Sequence, residues 1–113
     1  MRTIDHGSVL DDEAISLLKG STATYYVPTL YISKTVIEDP IVPASEKERA
    51  RAMRDRQIAS FKKALAAGLS IGLATDVPVM PHGQNAKELV FRVSLGESPM
   101  SAIGSATRVN AEI

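Results

Sequence analysis

Apolar positions along the chain change period several times, from short β-like runs to longer stretches spaced three and four apart, which predicts strands alternating with helices. Residues 2–6 and 70–75 are short runs that suit strands, the second largely apolar and compatible with a buried parallel strand. Residues 24–30, Thr24-Tyr25-Tyr26-Val27-Pro28-Thr29-Leu30, are rich in aromatic and β-branched types that favour strand, although Pro28 removes one ladder donor and so implies an edge or a bulge. A helix over 12–19 has acidic residues in its first turn and ends at Gly20. The longest helix, 46–67, is expected to open on a Ser45-Glu46-Lys47-Glu48 capping box, to turn Ala50, Met53, Ile58, Phe61 and Leu65 to one face, and to stop at Gly68. Asn85 suits the cap of a helix over 86–95 that ends before Gly96. Ser98-Pro99 opens a last helix over 99–112 with Met100, Ile103, Ala106 and Val109 inward. The stretch 33–44, marked by Pro40 and Pro43, reads as a long loop of the kind that serves as a lid.

The order strand, helix, strand, helix, strand, helix, helix indicates a parallel α/β sheet with crossover helices. Three strands alone leave two open edges, and nothing in the sequence obviously blunts them.

Composition narrows the classes. With 44% hydrophobic and 23% charged residues the chain is globular, and 113 residues fit one domain. Thirteen basic residues balance thirteen acidic ones, so no global field draws nucleic acid or an anionic membrane. The basic residues of the long helix, such as Lys47, Arg51 and Lys62, are interleaved with Glu46, Glu48 and Asp55 and lack aromatic stacking residues on their face; they describe a solvated outer face. The absence of cysteine removes disulfides, thiolate metal sites and cysteine nucleophiles. No run approaches the ~20 apolar residues of a membrane span, and residues 1–6 lack the core of a signal peptide, so a cytoplasmic protein is expected.

The chemistry gathers at His6 and Asp76, each closing a predicted strand just before a turn. In parallel α/β sheets, functional side chains collect at the carboxyl ends of strands, where the variable loops emerge. First and third strands lie two spacings apart, roughly 10 Å, and in a barrel alternate strands fill the same interior layer, so the two side chains would converge. Imidazole and carboxylate are donors that zinc accepts in hydrolases, with a position left for water. A carboxylate beside that water can take its proton during attack and later protonate the leaving group. On local pattern alone Asp76 also suits an Asx-turn, and His6 a hydrogen-bonded turn residue.

Arg2-Thr3-Ile4-Asp5-His6-Gly7-Ser8, Leu10-Asp11-Asp12-Glu13-Ala14, Val27-Pro28-Thr29-Leu30, Ala74-Thr75-Asp76 and Pro81-His82-Gly83-Gln84-Asn85-Ala86-Lys87-Glu88-Leu89, with Ala106-Thr107 and Asn110-Ala111 near the end, together resemble the amidohydrolase superfamily. Within it the likeness is to imidazolonepropionase-like hydrolases and prolidase-type, metal-dependent dipeptidases. The resemblance implies a partial (β/α)8 TIM-type barrel, with residues 1–113 matching its last three β/α units. It further implies that His6 is the metal ligand of the sixth strand and that Asp76 is the metal ligand and proton shuttle of the eighth. His82 and Asn85 would border the substrate, and Tyr31, at the tip of the middle strand, would touch a substrate carbonyl or carboxylate. The implied cofactor is a divalent metal, zinc first, with one or two ions in a complete enzyme. The implied substrate is a small amide or dipeptide.

Complete members of that superfamily also carry a His-x-His pair, a carboxylated lysine or glutamate, and a further histidine on earlier strands. None of these is present here. Hydrolytic zinc sites use three protein ligands plus water, so the chain alone is expected to bind metal weakly or not at all and to be inactive. The alternative is a non-catalytic α/β module that self-associates, or complements the rest of a barrel, through its open edges. His82 would then be an exposed loop residue, Asn85 a helix cap and Tyr31 a packing residue.

Overall fold

Three parallel backbone segments run side by side in the computed structural model, which describes residues 2–113. β1 (Thr3–Asp5) pairs with β2 (Tyr25–Val27) in parallel register, Ile4 level with Tyr26. On the other side Tyr26 makes a single parallel bridge to Ile71. Sequence order is therefore spatial order, with β2 in the middle. The helices are α1 (Asp12–Gly20), α2 (Tyr31–Glu38), α3 (Ala44–Ala67), α4 (Ala86–Ser94) and α5 (Pro99–Gly104), the last continued by a π-helical turn (Ser105–Val109) and α6 (Asn110–Glu112). A closed barrel is not present among these residues; the α/β class and the parallel order are.

The third strand is shorter than the predicted 70–75, and Pro28 explains why. Tyr26 N–H donates to the Ser70 carbonyl at 3.0 Å, and Gly72 N–H donates to the Tyr26 carbonyl at 2.9 Å. The next ladder bond would run from residue 28 to the Gly72 carbonyl, and proline has no N–H to give. Arg92 supplies the missing donor, its Nη1 lying 2.9 Å from that carbonyl. Pro28 thus ends the ladder just beyond a central strand. It does not mark an edge, which is where its chemistry alone would put it.

The core gathers Leu10, Leu18, Tyr26, Leu30, Phe61, Ala64 and Ile71 from the strands, α1 and α3. α1 has acidic residues in its first turn as expected, and the Asp11 carboxylate caps it by accepting from Ala14 N–H at 2.8 Å. Ser98 caps α5 through Ser101 N–H, with Pro99 at the first helical position.

Several expectations need correction. Residues 31–38 are helix α2 where the sequence suggested a loop; the proline-marked connection shrinks to residues 39–43. The Ser45 capping box does not form, because α3 starts earlier: Pro43 is the cap and its carbonyl accepts from Glu46 and Lys47 N–H at 3.0 and 3.1 Å. Asn85 has helical dihedrals and makes no side-chain cap bond. Along α3 only the carboxyl-terminal half is buried, through Gln57, Ser60, Phe61 and Ala64, and Met53 is exposed. In the last helix Ala102, Ser105 and Val109 face inward, whereas Met100 is 75% exposed and Ile103 is half exposed. Ser105 belongs inside because its hydroxyl lies 3.0 Å from Arg92 Nη2. Among the described residues no helix is long and apolar enough to cross a membrane.

Candidate functional site

His6 and Asp76 are the two non-glycine residues described with positive φ, 63° and 55°. Left-handed backbone is uncommon outside glycine, and where it persists the surroundings must hold it. At His6 they do: its N–H donates to the Val27 carbonyl at 2.9 Å as the last bond of the β1–β2 ladder, and Gly7 follows at φ 44° with its N–H on the Asp5 carbonyl at 2.7 Å. Only glycine fits at position 7, since a Cβ there would stand 2.4 Å from Tyr26 Cε2. The Tyr26 hydroxyl, within 3.4 Å of the Gly7 carbonyl, belongs to a ring whose burial pushes its pKa far above the usual tyrosine range. Asp76 begins a turn closed by Met80 N–H on its carbonyl at 3.3 Å.

Ile4, Tyr26 and Ile71 stand level across three parallel segments, so His6, Thr29 and Asp76 all leave from the same carboxyl edge, as predicted for a site. The His6 and Asp76 side chains are exposed. His6 Nδ1 lies 2.7 Å from Thr29 Oγ1, a hydroxyl of a residue only 3% exposed. His82 and Asn85 lie exposed in and after the turn that follows Asp76, and no hydrogen bond joins either to His6 or Asp76 among the described residues. Tyr31 is not at a strand tip. It opens α2, packs edge to face on Phe91 with ring centroids 5.8 Å apart, and has Lys34 and Lys87 Nζ at 5.7 and 5.8 Å from its ring centre.

Beneath this edge lies a buried polar network that sequence reasoning missed. The Glu88 carboxylate, with no solvent exposure, accepts from Leu30 N–H at 3.0 Å and from Tyr31 N–H at 2.7 Å. Burial raises the Glu88 pKa above the ordinary glutamate range; the Tyr31 and Leu30 donors and the Arg92 charge pull against it. Arg92, equally buried, meets Glu97 through Nε at 2.8 Å and Nη2 at 3.2 Å while bonding the Gly72 carbonyl. The four-residue spacing of Glu88 and Arg92 was a signal in the sequence, but it reads equally well as an exposed helical pair. On the outer side, the Asn110 amide takes both backbone groups of Leu73, accepting from its N–H at 2.9 Å and donating to its carbonyl at 2.8 Å. That side chain does for the open edge what the backbone donor and acceptor of a neighbouring strand would do.

His6 and Asp76 are donors of the right chemistry for a divalent cation such as zinc. They are two, and among the described residues no three His, Asp or Glu side chains gather as a metal site needs. The donor set fits in type and is incomplete in number.

No family model matches the chain. A search of curated proteins finds the ochratoxinase of Aspergillus niger, 33% identical over 94% of this chain and 22% of its own length. Its crystal structure superposes with a TM-score of 0.80. A Xaa-Pro dipeptidase with methionine bound in its active site matches with a TM-score of 0.86 and 35% identity, over 99% of this chain and 28% of that one. Over nearly its whole length the chain is similar in sequence and fold to members of the amidohydrolase superfamily. A third amidohydrolase relative, a prolidase complexed with N-methylphosphonate-L-proline, matches with a TM-score of 0.85 and 25% identity over the whole chain and 28% of its own. The chain thus spans about a quarter of the amidohydrolases it matches. These relatives are hydrolases.

Proposed function

We propose that this chain contributes the His6–Asp76 rim of a metal-dependent hydrolase that cleaves a carbon–nitrogen bond in a small amide or dipeptide. The observation that carries the proposal is the shared backbone anomaly: both residues adopt left-handed φ where two parallel segments end on one edge. Strain of that kind concentrates where a side chain must be aimed rather than packed. The relatives add support through what they bind, a methionine in one and a phosphonate–proline compound in another.

On this proposal a divalent ion, when bound, would make water nucleophilic near neutral pH and polarise the scissile carbonyl. His6 would hold the ion through the nitrogen that Thr29 leaves unengaged. Asp76 would hold it through its carboxylate, take the proton from the attacking water, and pass it to the departing nitrogen. Tyr31, His82 and Asn85 remain the candidates for substrate contact. Tyr31 comes through a partly apolar groove of about 370 Å³ shared with Lys34, Lys87 and Phe91, where a lysine could meet a substrate carboxylate. Because the chain spans about a quarter of its relatives, the further ligands would come from other β/α units of the barrel.

Asp76→Asn in the complete enzyme tests the assignment. Turnover of dipeptide or amide substrates is expected to fall by 10²–10⁴-fold or more, the range associated with losing a general acid–base, with an unchanged far-ultraviolet circular dichroism spectrum. A variant that retains full turnover removes Asp76 from the reaction.

A further inference from the structure

Among the described residues the Thr29 hydroxyl is the side-chain group within hydrogen-bond distance of the His6 imidazole. At 3% exposure it has little access to water, so the imidazole is the partner that satisfies it. The loop that carries Thr29 is held from both sides. Pro28 before it is fully buried, and the two N–H groups after it, Leu30 and Tyr31, are both gripped by Glu88 reaching over from α4. Leu30, the formal cap of α2, provides no side-chain acceptor, so Glu88 caps that helix from another element. The backbone of His6 is equally fixed, its N–H committed to Val27. Imidazole and hydroxyl are therefore both anchored, and their 2.7 Å separation leaves one free variable, which partner supplies the hydrogen.

We propose that Thr29, fixed in place by Glu88, is the positioning residue of His6: it accepts from Nδ1–H and so leaves Nε2 as the lone-pair nitrogen offered to a divalent cation. The proposal rests on His6 being a metal ligand, yet its core is a tautomer that exists before any metal arrives. A hydrogen bond of this kind on the distal nitrogen orients a ligating imidazole and raises its basicity. Donation in the other sense, from Thr29 Oγ1 to Nδ1, would put the hydrogen on Nε2 and close that nitrogen to a metal.

The chain contains two histidines, which makes the test direct. The full chain is labelled with ¹⁵N-histidine and its two imidazoles are recorded at about pH 8.5, above the ordinary histidine range. His82, in its exposed turn, is the internal reference and is assigned by His82→Gln. The expected wild-type result is His6 protonated at Nδ1. Thr29→Val is expected to move His6 to the tautomer mixture of His82, and Thr29→Ser, which keeps the hydroxyl, to retain the wild-type form. With the chain in its complete barrel, titration with Zn²⁺ is expected to perturb His6 Nε2 in the wild type and in Thr29→Ser, and to need about 10- to 100-fold more metal in Thr29→Val. Wild-type His6 protonated at Nε2, or a tautomer indifferent to Thr29→Val, overturns the proposal. An Nδ1–H form whose His6 Nε2 stays unperturbed by Zn²⁺ when the chain stands in its complete barrel overturns the ligand assignment instead. The wild-type tautomer needs no variant, so the test stands even where Thr29→Val does not fold.

Discussion

Arg92 is the residue whose loss the fold should feel most. Its guanidinium is fully buried, pairs with a Glu97 side chain only 1% exposed, bonds the Gly72 carbonyl and Ser105 hydroxyl, and lies 5.1 Å from the Phe61 ring centre. Arg92→Met keeps most of the volume and removes every polar bond. Breaking a buried ion pair by removing one partner costs about 3–5 kcal/mol, because the remaining charge stays in a poor solvent. The stranded Gly72 carbonyl would add about 1–3 kcal/mol if nothing replaced the donor. Relaxation and the Ser101 and Ser105 hydroxyls that also reach Glu97 offset part of this, so we expect a net loss of about 4 kcal/mol. Against a typical stability of about 5–15 kcal/mol that is a large fraction. With a urea dependence of about 2 kcal/mol per molar, the unfolding midpoint should drop by about 2 M. The double variant Arg92→Met/Glu97→Gln removes the unpaired charge and should recover about half of the loss, a coupling measurable by a double-mutant cycle. A midpoint shift under about 0.5 M for Arg92→Met, or no recovery in the double variant, refutes the reasoning.

Two further outcomes follow from the same network. Glu88 keeps its proton to higher pH when folded than when unfolded, so its contribution is greatest below the ordinary carboxylate range and falls as pH rises through it towards the raised value. Raising the pH from about 4 to about 7 should therefore cost the wild type more stability than Glu88→Gln, read from parallel urea titrations; equal losses would contradict the direction of the shift. Asn110→Ala uncovers the N–H and carbonyl of Leu73 on the outer edge. It should shift the chain toward dimers or larger species in light scattering, whereas unchanged mass would mean that the amide is not what blunts that edge.

How much was legible beforehand can be traced residue by residue. The parallel order and the helices over α1, α3, α4 and α5 followed from period and end signals, since the acidic first turn of α1, Gly68 and Ser98-Pro99 act locally in sequence. Helix α2 was hidden by Pro40 and Pro43, which marked 33–44 as a loop, although both prolines lie beyond the helix end and Glu88 caps its start from α4. The third strand was overextended because its missing donor lies at Pro28 and its replacement at Arg92, 64 residues apart in the sequence. At the site, His6 and Asp76 were visible as polar residues closing predicted strands. Thr29 was not, because a threonine after Pro28 looks like any strand residue until the His6 turn is built beside it. Tyr31 was misplaced because α2 was missed.

Crystals of the chain within its complete barrel, grown with zinc and measured at the zinc absorption edge, test the central claim most directly. The account predicts an anomalous peak about 2.0–2.2 Å from both His6 Nε2 and an Asp76 carboxylate oxygen. A peak on His82, or one that touches His6 while Asp76 stays outside coordination distance, would contradict it.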